Sequence, residues 1–334
     1  MNFNDYQSKF GSANLKSTSG LPKTEIFRAI VLAGENGFSS SGGLIPAGLR
    51  GQRPSQFCRT PGSEIVINRT RKQIEKLFSP ENVMFVVTEE HRRYYEEVLS
   101  DVNRENLIVQ PQDDGTTLAV LYAALRMAIT NPSAILTFFP ADFHAKNADE
   151  FMHKVESACA FVRREPNLIL LGLRGDNAKS QDELIELDPS APVDKNFGVW
   201  RVRRFVSRTT KAHTQELMSN GALVNSSVMV GTPNTFLRKI RRAAPDIYER
   251  FSLAAKRIGT ESEQRAVRAA YYSQYEYTDF SRDVLEKSAE KLLVAPVPAS
   301  LKTAVGIEPP AIAKVSQMGV TDFAPKFYTA QIGA

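Results

Sequence analysis

Between residues 29 and 173 short apolar runs alternate with longer segments of helical periodicity, and this alternation limits the fold more than any other feature. Residues 29–33, 83–87, 107–109, 134–139 and 168–173 are apolar and partly β-branched, long enough for buried strands and short for helices. Between them, residues 63–78 place Ile65, Val66, Ile74, Leu77 and Phe78 among charges and predict a helix capped by Ser63. Residues 89–99 predict a charged helix. Gly115 opens another over 116–128, with Leu118, Leu121, Leu125 and Ile129 at helical spacing, and residues 148–162 a further one. Such alternation predicts βαβ units, hence an α/β fold with a mixed, mostly parallel sheet flanked by helices. Sheets of this kind bind ligands beyond the carboxyl ends of their strands. The residues after the first strand, the turn 110–117 and Asp142 are therefore expected on one edge.

The second half is less regular. Residues 185–187 and 199–206 read as strands, joined by a polar connection carrying Pro189 and Pro192. A helix over 210–219 is broken by Gly221. Then come a strand over 222–230, helices over 233–243, 245–257, 261–271 and 282–289, and a strand over 292–297. No internal repeat is visible, and no hexapeptide pattern of a C-terminal β-helix. Residues 1–24 are polar, lack an apolar signal core and predict a disordered tail; 25–310 form the expected domain, and 311–334 a C-terminal tail.

A chain of 334 residues, 42% hydrophobic and 24% charged, can bury a full core. Two cysteines, Cys58 and Cys159, form no disulfide framework or zinc spacing and suit a reducing cytoplasm. No apolar run reaches the roughly 18 residues of a membrane span. The net charge of +5 would suit a polyanion, but Arg201, Arg203, Arg204 and Arg208 and the group Arg238, Lys239, Arg241 and Arg242 follow no nucleic-acid-binding pattern. The expectation is a protein that binds neither membrane nor nucleic acid.

The first strand runs into a segment in which six of the eighteen residues 34–51 are glycine, among them Gly34 and Gly37. Glycine there lets the backbone turn sharply and offer N–H groups to a phosphate; a plain surface loop has the same composition. The segment matches neither GxGxxG nor the P-loop.

The order of strand, Leu-Ala-Gly, glycine loop and Arg53-Pro54-Ser55-Gln56-Phe57-Cys58 resembles the start of a sugar-1-phosphate nucleotidyltransferase, nearest to the mannose-1-phosphate guanylyltransferase branch. The likeness extends from about Phe27 to about Pro310. It implies a Rossmann-like, GT-A-like nucleotidyltransferase domain without a C-terminal β-helix. Gln110-Pro111-Gln112-Asp113-Asp114-Gly115-Thr116-Thr117 resembles the family's nucleobase-side turn, with Asp114 in the usual arginine place. Gly34, Gly37, Gln110, Gly115 and Thr116 are thus implied on the nucleotide. Phe139-Pro140-Ala141-Asp142 resembles the Pro-Ser/Ala-Asp-His motif and implies Asp142 as an Mg²⁺ ligand, with Phe143 in the histidine place and His144 one residue later. Glu186 resembles the glutamate of Tyr-Gly-x-Ile-Glu, with Asp182 and Glu183 replacing Tyr-Gly. Residues 205–209 resemble Phe-Val-Glu-Lys-Pro with Ser207 and Arg208 in the sugar-contacting places. Residues 221–227 resemble the Trp-Asn-Ser/Thr segment. Glu186, Arg208 and Asn225 are thereby implied at the sugar.

Against the family pattern, Phe38 and Ser39 fall where threonine and arginine would lie. Ser55 replaces the loop lysine, and Ala304, in 299–310, takes the place of a second metal-binding aspartate. Nucleotidyl transfer gains from cations around the developing phosphate charge, so these changes predict an impaired catalyst unless Arg50 or Arg53 substitutes. Three functions remain open: a binding or regulatory homologue, as a homo-oligomer or beside an active paralogue; a working guanylyltransferase joining GTP and a sugar 1-phosphate with Mg²⁺; or an assembly protein. The expected ligand of the first two is a nucleotide or nucleotide-sugar.

Overall fold

The structure is a computed structural model that describes residues 27–34, 53–60, 64–175, 178–180, 182–194, 197–207, 209–273 and 276–298. The expected tails, the loop residues 35–52, Ser63 and residues 299–310 lie outside them. The strands are β1 (Phe27–Leu32), β2 (Val83–Thr88), β3 (Leu107–Gln110), β4 (Ile135–Pro140), β5 (Ile169–Leu173), β6 (Leu184–Asp194), β7 (Val199–Val206), β8 (Leu223–Gly231) and β9 (Leu293–Val297). They form one mixed sheet in the order β3-β2-β1-β4-β8-β5-β9-β7-β6. β1 is parallel to β2 and β4, and β2 to β3. β8 runs antiparallel between β4 and β5, and β5 is parallel to β9. Parallel pairing thus dominates the first half of the chain and antiparallel pairing the second.

The helices are α1 (Val66–Ile74), α2 (Arg92–Val98), α3 (Thr116–Thr130), α4 (Ala148–Arg164), α5 (Lys211–Ser219), α6 (Pro233–Ala243), α7 (Pro245–Ala255) and α8 (Glu263–Tyr272). Several of their starts are chemically marked. Asn147 caps α4 by accepting the Glu150 N–H, Thr210 caps α5 through His213, and Thr232 caps α6 through Thr235, with Pro233 preset for the first turn. Alternation along the strands divides the interior into two cores. Ile30, Leu136, Phe138 and Leu170 face α3, α6, α7 and α8, whereas Ala29, Val31, Phe139 and Ile169 face α1, α2 and α4.

Three elements differ from expectation. The first helix begins at Val66, after an antiparallel bridge between Arg59 and Ile65, without a side-chain cap. The Pro189–Pro192 connection is strand: β6 continues through it beside β7, with register shifts at Leu187, Pro192 and Asp194. An edge strand with bulges tolerates missing ladder donors, so proline does not end it. Residues 282–289 wind as a π turn, Ser281–Leu285, then 3₁₀ turns, Glu286–Lys291. Their start is fixed by Ser281, whose Oγ donates to Glu183 Oε2 at 2.9 Å.

Candidate functional site

Strand register sets the site. Leu32 pairs with Pro140 and Thr88 with Gln110, so β1, β3 and β4 end together. Gly34 lies two residues beyond β1, Gln110 ends β3, and Asp142 lies two residues beyond β4. Asn225 enters β8 opposite Gly172, near the end of β5, which brings it to the same edge.

Leu32, Gly34, Gln110, Asp113, Gly115, Thr116 and Ala119 line a small cavity there. The structure therefore brings together four of the residues implied on the nucleotide; Gly37 lies outside the described residues. Gly34 is a close approach, since a Cβ on it would lie 2.2 Å from Gln110 Nε2 and 2.9 Å from Thr88 Oγ1. The Thr88 hydroxyl donates to Gly34 O at 2.6 Å, and Gln56 Nε2 donates to Ala33 O at 3.0 Å. Gln110 is buried and accepts the Tyr271 hydroxyl at 2.6 Å, which fixes its carboxamide.

A helix N-terminus in this turn implies free N–H groups, but one of those on α3 is already used. Thr116 N–H donates to Thr278 O at 3.1 Å, and Thr278 N–H returns to Asp114 O at 2.9 Å. Thr278 Oγ1 also reaches Asp114 O at 2.8 Å, and Phe280 N–H donates to Thr116 Oγ1 at 2.9 Å. Gly115 is required where this strap crosses, with φ of 98° and a hypothetical Cβ only 1.8 Å from Thr278 O. The Asp114 carboxylate accepts Gln112 Nε2 at 2.9 Å, and burial pushes its pKa up from the ordinary value.

The same strap reaches Asn225, one of the residues implied at the sugar. Asn225 Nδ2 donates to Glu183 Oε2, which also takes the Ser281 hydroxyl. Asn225 Oδ1 accepts the Ser227 N–H at 3.0 Å, and Asn225 N–H donates to Glu183 O at 2.8 Å. Enclosure raises the Glu183 pKa to about 7; the hydrogen bonds from Asn225 and Ser281 oppose the shift, and Asp279 and Glu286 add to it.

Glu186 is placed elsewhere. Three residues on from Glu183, it emerges on the opposite face of β6 and binds Arg204 twice, at 2.7 and 3.0 Å. The pair lines a separate groove of about 400 Å³ with Trp200, His213 and Leu217. The residue that meets Asn225 is thus Glu183, which in the sequence stands only as a replacement within the Tyr-Gly pair. The odd spacing from Glu186, on opposite sides of a strand, is the signal that could have found it. Arg208 lies outside the described residues.

Asp142 is half-buried in a turn tied to α1: Thr70 Oγ1 donates to Ala141 O at 2.7 Å and Phe143 O at 2.9 Å. Phe143 is fully buried against Phe139 and Phe151. His144 Nδ1 meets Gln73 Nε2 at 2.6 Å, and burial lowers its pKa from the ordinary value. Among the described residues no three His, Cys, Asp or Glu side chains gather as a metal-holding group. A single carboxylate matches Mg²⁺ held mainly through substrate phosphates and water, not a protein-only cage. Of the two arginines considered as substitutes, Arg50 lies outside the described residues. Arg53 pairs with Glu97 at 2.9 Å and sits 5.4 Å from the Tyr94 ring centroid, on α2. Ser55 opens a 3₁₀ turn, and Ala304 is outside the described residues. No described helix is long and apolar enough to cross a membrane.

No protein-family model matches the chain. It is 21% identical over 255 residues to the alginate biosynthesis protein AlgA of Pseudomonas syringae pv. tomato, covering 75% of this chain and 51% of that protein. It is 22% identical over 222 residues to the AlgA of Pseudomonas fluorescens, covering 65% of this chain and 44% of that protein. The chain spans about half the length of the curated relatives it matches. A crystal structure described as mannose-1-phosphate geranyltransferase from Thermus thermophilus superposes with a TM-score of 0.67 at 21% identity, over 84% of this chain and 76% of that one. One described as mannose-6-phosphate isomerase from Helicobacter pylori gives 0.59 at 16% identity, over 84% of this chain and 99% of that one. The chain has a nucleotidyltransferase-like fold and resembles the sugar-1-phosphate nucleotidyltransferases, mannose-1-phosphate guanylyltransferase among them.

Proposed function

We propose that this chain is a nucleotide- or nucleotide-sugar-binding protein of the sugar nucleotidyltransferase type whose transfer activity is impaired. The observation that carries this reading is the lining of the cavity at the parallel-strand edge. Its polar groups come from Gly34, Gln110, Asp113, Gly115 and Thr116, so among the described residues it offers amide, hydroxyl and carboxylate groups but no cation. The cavity itself, about 10 Å³, has room for roughly one water, so in this reading its lining offers directed hydrogen bonds to the edge of a nucleobase or ribose lying against it. It supplies little against the charge that develops on a phosphoryl group in transfer.

In this reading the fixed Gln110 carboxamide and the close backbone at Gly34 orient the nucleotide, and Asn225 lies toward the sugar. Asp142 would hold Mg²⁺ against the phosphates, where the ion would neutralise charge. Arg53, bound to Glu97, would have to leave that pair and the Tyr94 ring to reach a phosphate. The second reading, a working guanylyltransferase, is favoured by the place of Asp142 on the edge shared with Gly34 and Gln110.

Two measurements test the proposal. Titration calorimetry with GTP and GDP-mannose, with and without Mg²⁺, is expected to detect binding. Pyrophosphate release from GTP and mannose 1-phosphate is expected to stay at the no-protein level. Turnover near about one per second, lost in Asp142→Ala, would establish the second reading; absence of nucleotide binding would leave the assembly role.

A further inference from the structure

Apart from the edge cavity, the molecule offers the groove beside α5, the buried Glu263 between α3 and α8, the Glu183–Asn225–Ser281 cluster and the cations on the second half of α6. The groove has its central charges, Glu186 and Arg204, spent on each other. Glu263 is engaged by Tyr122, Arg126 and Gly259. Glu183 is closed in by Asn225 and Ser281 and lines neither cavity. The α6 cations are charges that the fold gathers without supplying, among the described residues, an opposite one.

Helical spacing puts Arg238 and Arg242 about one turn apart on the same side of α6, with Lys239 three residues before Arg242. Lys239 is half-buried, and its Nζ donates to the backbone carbonyl of Lys291 at 2.7 Å. That bond ties the end of the 3₁₀ segment Glu286–Lys291 to the helix, so Lys291 brings a fourth charge from another part of the chain. Arg238 Nη2 donates to Thr235 Oγ1 at 3.3 Å, a neutral partner, and Arg238, Arg242 and Lys291 are exposed. Arg241 lies instead over the Tyr248 ring, 5.9 Å from its centroid. Among the described residues none of Arg238, Lys239, Arg242 and Lys291 makes an ion pair with a carboxylate, Glu290 beside Lys291 included. Burial lowers the Lys239 pKa to about 8, and the positive charges of Lys291, Arg238 and Arg242 add to that shift. The dipole of α6 favours Arg241 and Arg242 in its last turn, but it gives no reason for Lys239 or for Lys291.

Lys291 stands just before β9, whose first residue Leu293 pairs with Ile169 at the start of β5, whereas Asn225 meets β5 at Gly172. The cluster therefore lies toward the strand starts, away from the edge that carries Gly34 and Asp142, and it lines neither cavity. Like charges held this way repel one another, and a multivalent anion relieves the repulsion. Guanidinium forks and an ammonium match phosphoryl oxygens in particular. The sequence around these residues follows no nucleic-acid-binding pattern, so a compact anion suits them better than a long polyanion. We propose that Arg238, Lys239, Arg242 and Lys291 form a second anion site, remote from the edge cavity, that takes the phosphoryl groups of a diphosphate or triphosphate. Free pyrophosphate and the phosphates of a nucleotide offer the same chemistry there. The site goes beyond the nucleotide reading of the edge cavity and does not rest on it.

The test is titration calorimetry of inorganic phosphate, pyrophosphate and GTP, without Mg²⁺ and at low ionic strength. The proteins are the full chain, its Arg242→Gln/Lys291→Gln double variant and Gln110→Ala in the edge cavity. Both side chains changed in the double variant are exposed, and Lys239 binds the Lys291 backbone, so the fold should persist; circular dichroism checks this. The wild type is expected to bind pyrophosphate more tightly than phosphate, with an affinity that falls as salt is added. The double variant should lose roughly tenfold or more of the pyrophosphate affinity, as expected where charge-assisted hydrogen bonds are removed. Gln110→Ala should lose none. A second equivalent of GTP on the wild type that disappears in the double variant would identify nucleotide phosphates as the source. Pyrophosphate binding without that second equivalent would identify the free anion. Pyrophosphate that fails to bind the wild type, or binds the double variant equally well, would overturn the proposal, as would binding lost in Gln110→Ala. A polyglutamate peptide bound as tightly as pyrophosphate, through the same two residues, would also overturn it in favour of an acidic protein partner. Absence of GTP binding with pyrophosphate binding intact would leave this site standing and overturn the nucleotide reading of the edge cavity.

Discussion

Glu183 also affects stability, because its carboxyl holds a proton in the folded chain that it has lost in the unfolded one. Its pKa rises from 4.5 to about 7 on folding. Between those values the native state binds more protons, so stability falls as pH rises across the window and levels off above it. The shift corresponds to an upper limit on the order of 3 kcal/mol. Urea denaturation of the wild type at intervals from pH 4.5 to 8 is expected to show this decline, and Glu183→Gln should remove it. A wild-type curve that rises through pH 6, or a variant that declines as steeply, would contradict the assignment. Residue identity alone could not disclose this. The replacement of Tyr-Gly by Asp182 and Glu183 is visible in the sequence, but which carboxylate meets Asn225 depends on the face from which each leaves the chain at β6. Glu186 leaves from the other face and is taken by Arg204.

At the scale of elements, α3 and α8 are joined through one buried carboxylate. Glu263 accepts the Tyr122 hydroxyl at 2.7 Å, Arg126 Nη1 at 2.6 Å and the Gly259 N–H at 2.8 Å. Further along α8, Tyr271 donates to Gln110, so the helix that carries Glu263 also fixes a wall of the cavity. Glu263→Ala would leave Arg126 and Tyr122 without their acceptor, at a cost of about 3–5 kcal/mol, as for other broken buried pairs. Chemical denaturation should register that loss, and nucleotide affinity should fall with it as α8 loosens from Gln110. A loss under about 1 kcal/mol would mean that the pair behaves as an exposed one. The elements themselves are largely legible: apolar runs mark the strands of the first half, and helical spacing marks α3 and α4. What the pattern conceals is β6, where Pro189 and Pro192 look like a connection but lie in a bulged edge strand. The strap from Thr278 to Ser281 is equally hidden, since its role comes from contacts 164 and 98 residues away in sequence.

Across the whole molecule, local stability should follow position in the sheet. β1, β4 and β8 are central and carry apolar residues against both cores, as Ile30 with Val31 and Leu136 with Phe139 show. β7 and the part of β6 beyond Ile185 lie at the far end of the sheet, have register shifts and expose Arg201, Arg203 and Arg204, while Leu184 and Ile185 at the start of β6 also pair with β8. Hydrogen exchange is therefore expected to be slowest in β1, β4 and β8 and faster by orders of magnitude in the β6–β7 hairpin. Uniform protection would show that the hairpin unfolds only with the whole sheet. The placement of Gly34, Gln110, Gly115 and Thr116 around one cavity was foreseeable because each follows or ends a parallel strand or opens the next helix. The general rule for such sheets then puts them on one edge. The positions of Gly37, Arg50 and Arg208 have no counterpart among the described residues.

The crossing of Gly115 by Thr278 also gives the chain a timetable. The ribosome releases residues 113–116 early, together with the strands that surround them, yet the last hydrogen bonds of that turn belong to a residue 164 positions later. A growing chain can pair β1 through β4 and begin to bury both faces while the rim of this edge cavity is still unfinished. If the cavity is the nucleotide site proposed above, recognition waits for the strap to dock, and a ligand held at that rim favours chains that have completed the closure over those that have not.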